Sequence, residues 1–168
     1  DLLESSKKDL EKQMRNQVHN DGVDYEASLN YHRLVTELFL LCYILGKNNN
    51  IKFPIQFGLK LEAMLNFIMH YTRPDGLAPQ LGDCDNGRII DLWKKNVNDH
   101  RDMLTVGSTL FNRPDFKAQG TFNKKLLFLI DKKSYNKIKS KKPELKSKKF
   151  THFYIMREKD FYLIVHCG

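Results

Sequence analysis

Apolar residues recur through the first two-thirds of the chain at the three-to-four-residue spacing of a helix, then switch to strand-like runs near its end. Leu2, Leu3, Leu10, Met14 and Val18 predict a helix over 2–18, closed by the Asp21-Gly22 turn. A second is predicted over 26–45, stopping at Gly46 before the polar Lys47-Asn48-Asn49-Asn50. Pro54, a good first-turn residue, opens a third that runs to residue 71 through Phe57, Leu61, Met64, Leu65, Ile68 and Met69. Arg73-Pro74-Asp75-Gly76 ends it, and a loop follows over 77–86. Further helices are expected over 87–96 and 99–111, the latter terminated by Pro114, with a short one over 123–134. Residues 150–157 and 161–166 are rich in aromatic and β-branched types and are split by Glu158-Lys159-Asp160, which predicts a β-hairpin. Helices followed by strands imply two layers or domains, divided as 1–131, a Lys-rich linker over 132–149, and 150–168.

The 168 residues are 41% hydrophobic, enough to build a core and enough to exclude a disordered chain. No apolar run approaches the roughly 18 residues that span a bilayer; the longest stretch, 34–46, is broken by Thr36 and Glu37. The chain opens on Asp1-Leu2-Leu3-Glu4 without a basic-then-apolar leader and stops inside a strand-like run, so it reads as a piece of a longer protein. The net charge is +8, but residues 124–149 hold 11 lysines against Asp131 and Glu144. Subtracting them leaves 17 basic and 18 acidic residues elsewhere. A Lys-rich segment with few aromatics reads as a solvated linker and argues against nucleic acid, where arginine and stacking rings do the reading. Attraction to a polyanionic polysaccharide is also compatible with it. Cys42, Cys84 and Cys167 are an odd count without CxxC spacing, so neither a disulfide framework nor a zinc site follows.

Chemistry concentrates in Asp21-Gly22-Val23-Asp24-Tyr25-Glu26-Ala27-Ser28-Leu29-Asn30-Tyr31-His32-Arg33. A polar trio, Asn30, Tyr31 and His32, sits at the start of an apolar helix, where backbone amides point outward and favour anions. These side chains can hold a carboxylate, give a proton or take one. A weak echo follows: Asp75-Gly76 precedes a second polar cluster, Gln80-Leu81-Gly82-Asp83-Cys84-Asp85-Asn86-Gly87-Arg88, as Asp21-Gly22 precedes the first. In stacked helical hairpins alternate loops emerge on one side, so the two clusters are expected to share a cleft.

Gln17, Asp21-Gly22, Glu26-Ala27-Ser28, Asn30-Tyr31-His32-Arg33-Leu34-Val35 and Glu37-Leu38 resemble the toroid segment of heparinase II/III-like proteins, relatives of alginate lyases. Gly82-Asp83-Cys84-Asp85-Asn86-Gly87-Arg88 resembles a loop of the same family, notably of members linked to surface polysaccharides. Tyr154-Ile155-Met156-Arg157 and Tyr162-Leu163-Ile164-Val165-His166 resemble the entry strands of its C-terminal β-sandwich. The resemblance implies a mainly α fold, an incomplete (α/α) toroid of helical hairpins, followed by a β-hairpin that begins a β-sandwich. It implies β-elimination at a uronic acid of an acidic polysaccharide, in a bacterial periplasm or envelope; no cofactor and no metal ligand is expected among the residues of this chain. Asn30 would neutralise the sugar carboxylate, His32 or Tyr31 would serve as base or acid, and Glu26, Gln80, Asp83 and Arg88 would line the substrate. A tyrosine base needs a lowered pKa, the direction a helix N-terminus favours.

Each role has a plainer competitor. Asn30 competes with a capping role, Tyr31 with half-buried packing, His32 with a plain hydrogen bond to backbone or a carboxylate, and Asp83, Asp85 and Arg88 with a salt-bridged structural loop. Asp83-Cys84-Asp85-Asn86-Gly87 resembles the opening of a calcium loop but lacks its closing Glu. The chain also departs from the lyase pattern: no tyrosine lies between Tyr71 and Trp93, and the family's further histidine has no firm match in His166. A non-catalytic glycan-binding or polysaccharide-assembly protein is therefore the alternative.

Overall fold

A computed structural model describes residues 1–85, 87–89, 96–159 and 161–167 (for Lys125, the backbone alone). Its elements are α1 (Leu2–Gln17), α2 (Leu29–Asn48), α3 (Ile55–Tyr71), α4 (Asp102–Phe111), α5 (Pro114–Gln119), a 3-10 turn (Lys124–Phe128), α6 (Lys132–Lys137), and strands β1 (Lys148–Phe150), β2 (Phe153–Glu158) and β3 (Phe161–His166). The expected order, helices and then antiparallel strands, is what the chain adopts. The helix expected over 87–96 falls largely outside the described residues.

α3 is the hub. Leu61, Met64, Leu65, Phe67, Ile68 and Tyr71 are all fully buried. A helix apolar all round must be covered all round, and α1, α2, α4 and α5 do so. The Gly22 turn presses on α3 closely enough that a Cβ there would lie 2.2 Å from the Ala63 carbonyl carbon, and its φ of +90° suits glycine.

The strands form one antiparallel sheet in the order β1-β2-β3, with Phe150 opposite Phe153 and Arg157 opposite Tyr162. Phe153 and Ile155 face inward while Tyr154 and Met156 face out, the alternation of a half-buried sheet. Phe67 of α3 packs against Phe150 and Phe153 at ring distances of 4.9 and 5.3 Å. The sheet also closes the C-terminus of α3. Arg157 donates to the carbonyls of His70 and Thr72, and the Tyr162 hydroxyl donates to that of Tyr71 at 2.7 Å, so carbonyls a helix end leaves open find partners. Helices and sheet share one apolar cluster.

Three boundaries differ from expectation for local reasons. α2 starts at Leu29, because Ala27 takes φ +53° and Ser28 caps the helix. Pro114 does not only stop α4; Asn112 turns left-handed to end that helix, and Pro114 sits in the first turn of α5, where its missing N–H is no loss. The segment expected as a Lys-rich linker carries α6, capped by Asp131, and β1.

Candidate functional site

The site grows from the cap of α2. The Ser28 hydroxyl accepts from the Tyr31 amide at 3.2 Å and donates to the Asp83 carbonyl at 2.7 Å. One side chain thus satisfies a helix donor and holds a distant loop. The Leu29 amide donates to the Leu81 carbonyl at 3.1 Å. Gly82, at φ +76°, lets the loop lie so close that a Cβ would come 2.8 Å from the Ser28 Cα. The cap and the loop therefore take two of the first three amides of the helix, leaving less of its N-terminus for an anion than the sequence promises.

Further along, the Tyr31 hydroxyl donates to Asp85 at 2.9 Å. Arg33, paired with Glu37 at 3.0 Å, donates to the Gly87 carbonyl, while Glu37 accepts the Ile89 amide at 3.1 Å. The Arg33–Glu37 pair grips the loop by a carbonyl and an amide at once. The two polar clusters meet, as the echo of Asp-Gly turns led one to expect. Neither Arg33 nor Glu37 stands out in the sequence as a site residue, although their i,i+4 spacing is that of a helical ion pair.

The first turn of α2 has an open side and a sealed side. Asn30 is 8% exposed, and its amide makes no hydrogen bond among the described residues. Tyr31 is half-buried, and its pKa is raised, first by the hydrogen bond to Asp85, then by the charges of Asp85, Asp83 and Glu26. That corrects the expected lowering: the acidic loop outweighs the helix terminus, and the phenol stays protonated.

His32 lies on the sealed side, 1% exposed. Its Nδ1 accepts the Asp24 amide at 3.3 Å, and its Nε2 meets the Met64 carbonyl at 3.1 Å. The carbonyl must receive a proton, so the hydrogen is assigned to Nε2. Burial lowers the His32 pKa to about 4, which keeps the ring neutral. Phe67 meets the ring edge-on at 5.0 Å. Both nitrogens are used by backbone, so the imidazole pins α2 and the 24–28 turn to α3. A signal of this was present: Leu29, His32, Arg33, Thr36, Phe39 and Leu40 follow the buried helical spacing.

Asp24 is a further site neighbour that the sequence did not single out. It is wholly buried, and burial raises its pKa to about 6. One carboxyl oxygen accepts the Glu26 amide at 3.3 Å and the other has no partner. Of the expected substrate-lining residues, Glu26, Gln80 and Asp83 are exposed. Arg88 reaches the Val97 carbonyl at 3.1 Å and bridges its own loop. Among the described residues it pairs with neither Asp83 nor Asp85; in place of the expected salt bridges, the Ser28 and Tyr31 hydroxyls and the Arg33–Glu37 pair hold the loop. Among the described residues no group of three His, Cys, Asp or Glu side chains could hold a metal, and no helix is long and apolar enough to cross a membrane.

The heparin-sulfate lyase of Pedobacter heparinus is 30% identical over 76 residues, which is 44% of this chain and 12% of the lyase, so the chain spans a small part of that relative's length. No solved structure matches. The model of the heparinase II/III N-terminus matches residues 3–109, which include α1 from its second residue, α2 with its capped start, α3 and the docked loop. The chain belongs to the heparinase II/III family.

Proposed function

We propose that the open side of the α2 N-terminus is the carboxylate-binding and proton-donating half of a polysaccharide lyase site, acting by β-elimination on a uronate-containing glycan. The observation that carries this reading is the docked loop, which sets Tyr31 on Asp85 next to an unengaged, nearly buried Asn30 amide. An amide can donate to a sugar carboxylate without a charge of its own, and that contact strengthens as the C5 carbanion forms and charge moves onto the carboxylate. Tyr31, held protonated, suits protonation of the departing glycosidic oxygen. On this reading the C5 proton passes to a base in the other half of the site; His32, whose nitrogens are committed to the backbone, is not that base. The name of the Pedobacter relative supports lyase chemistry in this family.

The burial of His32 also supports the second reading, a glycan-binding protein without turnover. Absorbance of the unsaturated uronate product separates the two. Turnover that is lost in Asn30→Ala and Tyr31→Phe supports the lyase. Glycan binding without any absorbance rise supports the binding protein.

A further inference from the structure

On the other side of α3, the structure assigns a second acidic-glycan subsite to the groove between the C-terminal half of α3, the start of α5 and the Lys141–Leu145 strap. This rests on the reading of an acidic polysaccharide ligand above. The groove encloses about 580 Å³, within the roughly 300–1,000 Å³ common for small-ligand sites.

The lysines here do not hang on a free tether. Ile138 is buried, the Lys117 ammonium donates to the carbonyls of Tyr135 and Ile138 at 2.7 and 2.8 Å, and the Lys141 amide donates to the Pro114 carbonyl at 3.1 Å. These bonds fix the strap and hold Lys141 and Lys142 on the groove wall. Asp115, on the opposite wall, is paired with Arg113, which Glu62 shares. Glu144 is the remaining acid, and Lys146 lies 4.0 Å from it.

His70 adds a second kind of contact. Its Nδ1 lies 2.8 Å from the Asn66 carbonyl and must donate to it, which leaves Nε2 as an acceptor with no partner among the described residues. Burial, together with the charges of Lys148, Arg157 and Arg113, lowers the His70 pKa and keeps that acceptor available. Lysines for a carboxylate or sulfate, beside a neutral acceptor for a hydroxyl, match a charged sugar. Met69, Pro143 and Leu145 supply an apolar floor. Nucleic acid fits less well: the lining has no arginine, and its one ring, His70, already packs on Phe150 at 5.3 Å.

The test is titration of the chain with a heparin hexasaccharide, following the His70 ring and the Asn30 amide by NMR and the affinity by calorimetry. The expected result is that the His70 signal moves. Lys141→Gln/Lys142→Gln abolishes that movement and weakens low-salt binding about tenfold, while Asn30→Ala leaves it intact. Both lysines are exposed, so the double variant keeps its fold. A silent Asn30 amide with a moving His70 ring would sink the reading of the α2 site and leave the groove standing. A His70 signal that stays still would overturn the groove, as would one that moves equally with a single-stranded oligonucleotide of matched charge.

Discussion

Tyr31 and His32 are adjacent in the chain, yet one phenol stands at the surface on a carboxylate while the next side chain is sealed against α3. The difference comes from helix geometry. One step along a helix turns the side chain by about 100°, which is enough to move from the loop-facing side to the core. Residues equally capable of acid–base chemistry are thereby given different work. Tyr31 keeps its proton because carboxylates surround it; His32 stays neutral because water is excluded.

This contrast can be broken from the sealed side with the largest effects. Gly22→Ala forces a Cβ into the Ala63 backbone at a positive φ; thermal or urea unfolding is expected to show a loss above about 4 kcal/mol. His32→Ala removes a buried ring, leaves the Asp24 amide unpaired and strips the Met64 carbonyl of its second hydrogen bond, for a loss of about 2–4 kcal/mol with glycan contacts untouched. Ser28→Ala removes the cap and the Asp83 link together, for about 1–2 kcal/mol, and it also loosens the loop. Tyr31→Phe, on the open side, is expected to change stability by less than about 0.5 kcal/mol while removing turnover. A Tyr31→Phe variant that unfolds, or a His32→Ala variant that stays as stable as the parent, would dissolve the distinction between the two sides.

Acidity sharpens the same comparison with a smaller effect. The Asp24 pKa rises on folding from 3.8 to about 6, so its contribution to stability is present at pH below 3.8 and is lost as pH rises through 6. The His32 pKa falls from 6.5 to about 4, so its contribution is present above 6.5 and is lost as pH falls through 4. The two slopes oppose each other across one window. Asp24→Asn is expected to raise the melting temperature relative to the parent more at pH 7 than at pH 4. A difference independent of pH would show that Asp24 does not titrate there.

Much of this was legible in the chain. α1 and α3 follow from apolar spacing alone, and the docking of the 81–89 loop on α2 followed from the repeated Asp-Gly turns. The sealed state of His32 was harder, because Asn-Tyr-His-Arg reads as a polar run and its backbone acceptor comes from Met64, 32 residues away. The rise in the Tyr31 pKa depends on Asp85, 54 residues on, and local sequence knows only the helix terminus. β1 was missed because two of its three residues are exposed lysines, and its pairing with β2 depends on register, not propensity.

The central claim is that the open side binds a uronate carboxylate through Asn30 and protonates its leaving group through Tyr31. The most direct measurement is absorbance of the unsaturated uronate product when the full-length protein meets a panel of heparan sulfate, alginate, hyaluronan and bacterial capsule. The account predicts a rise on at least one of them, lost in Asn30→Ala and Tyr31→Phe while both variants keep their helical circular dichroism. A rise that persists in both folded variants would contradict it.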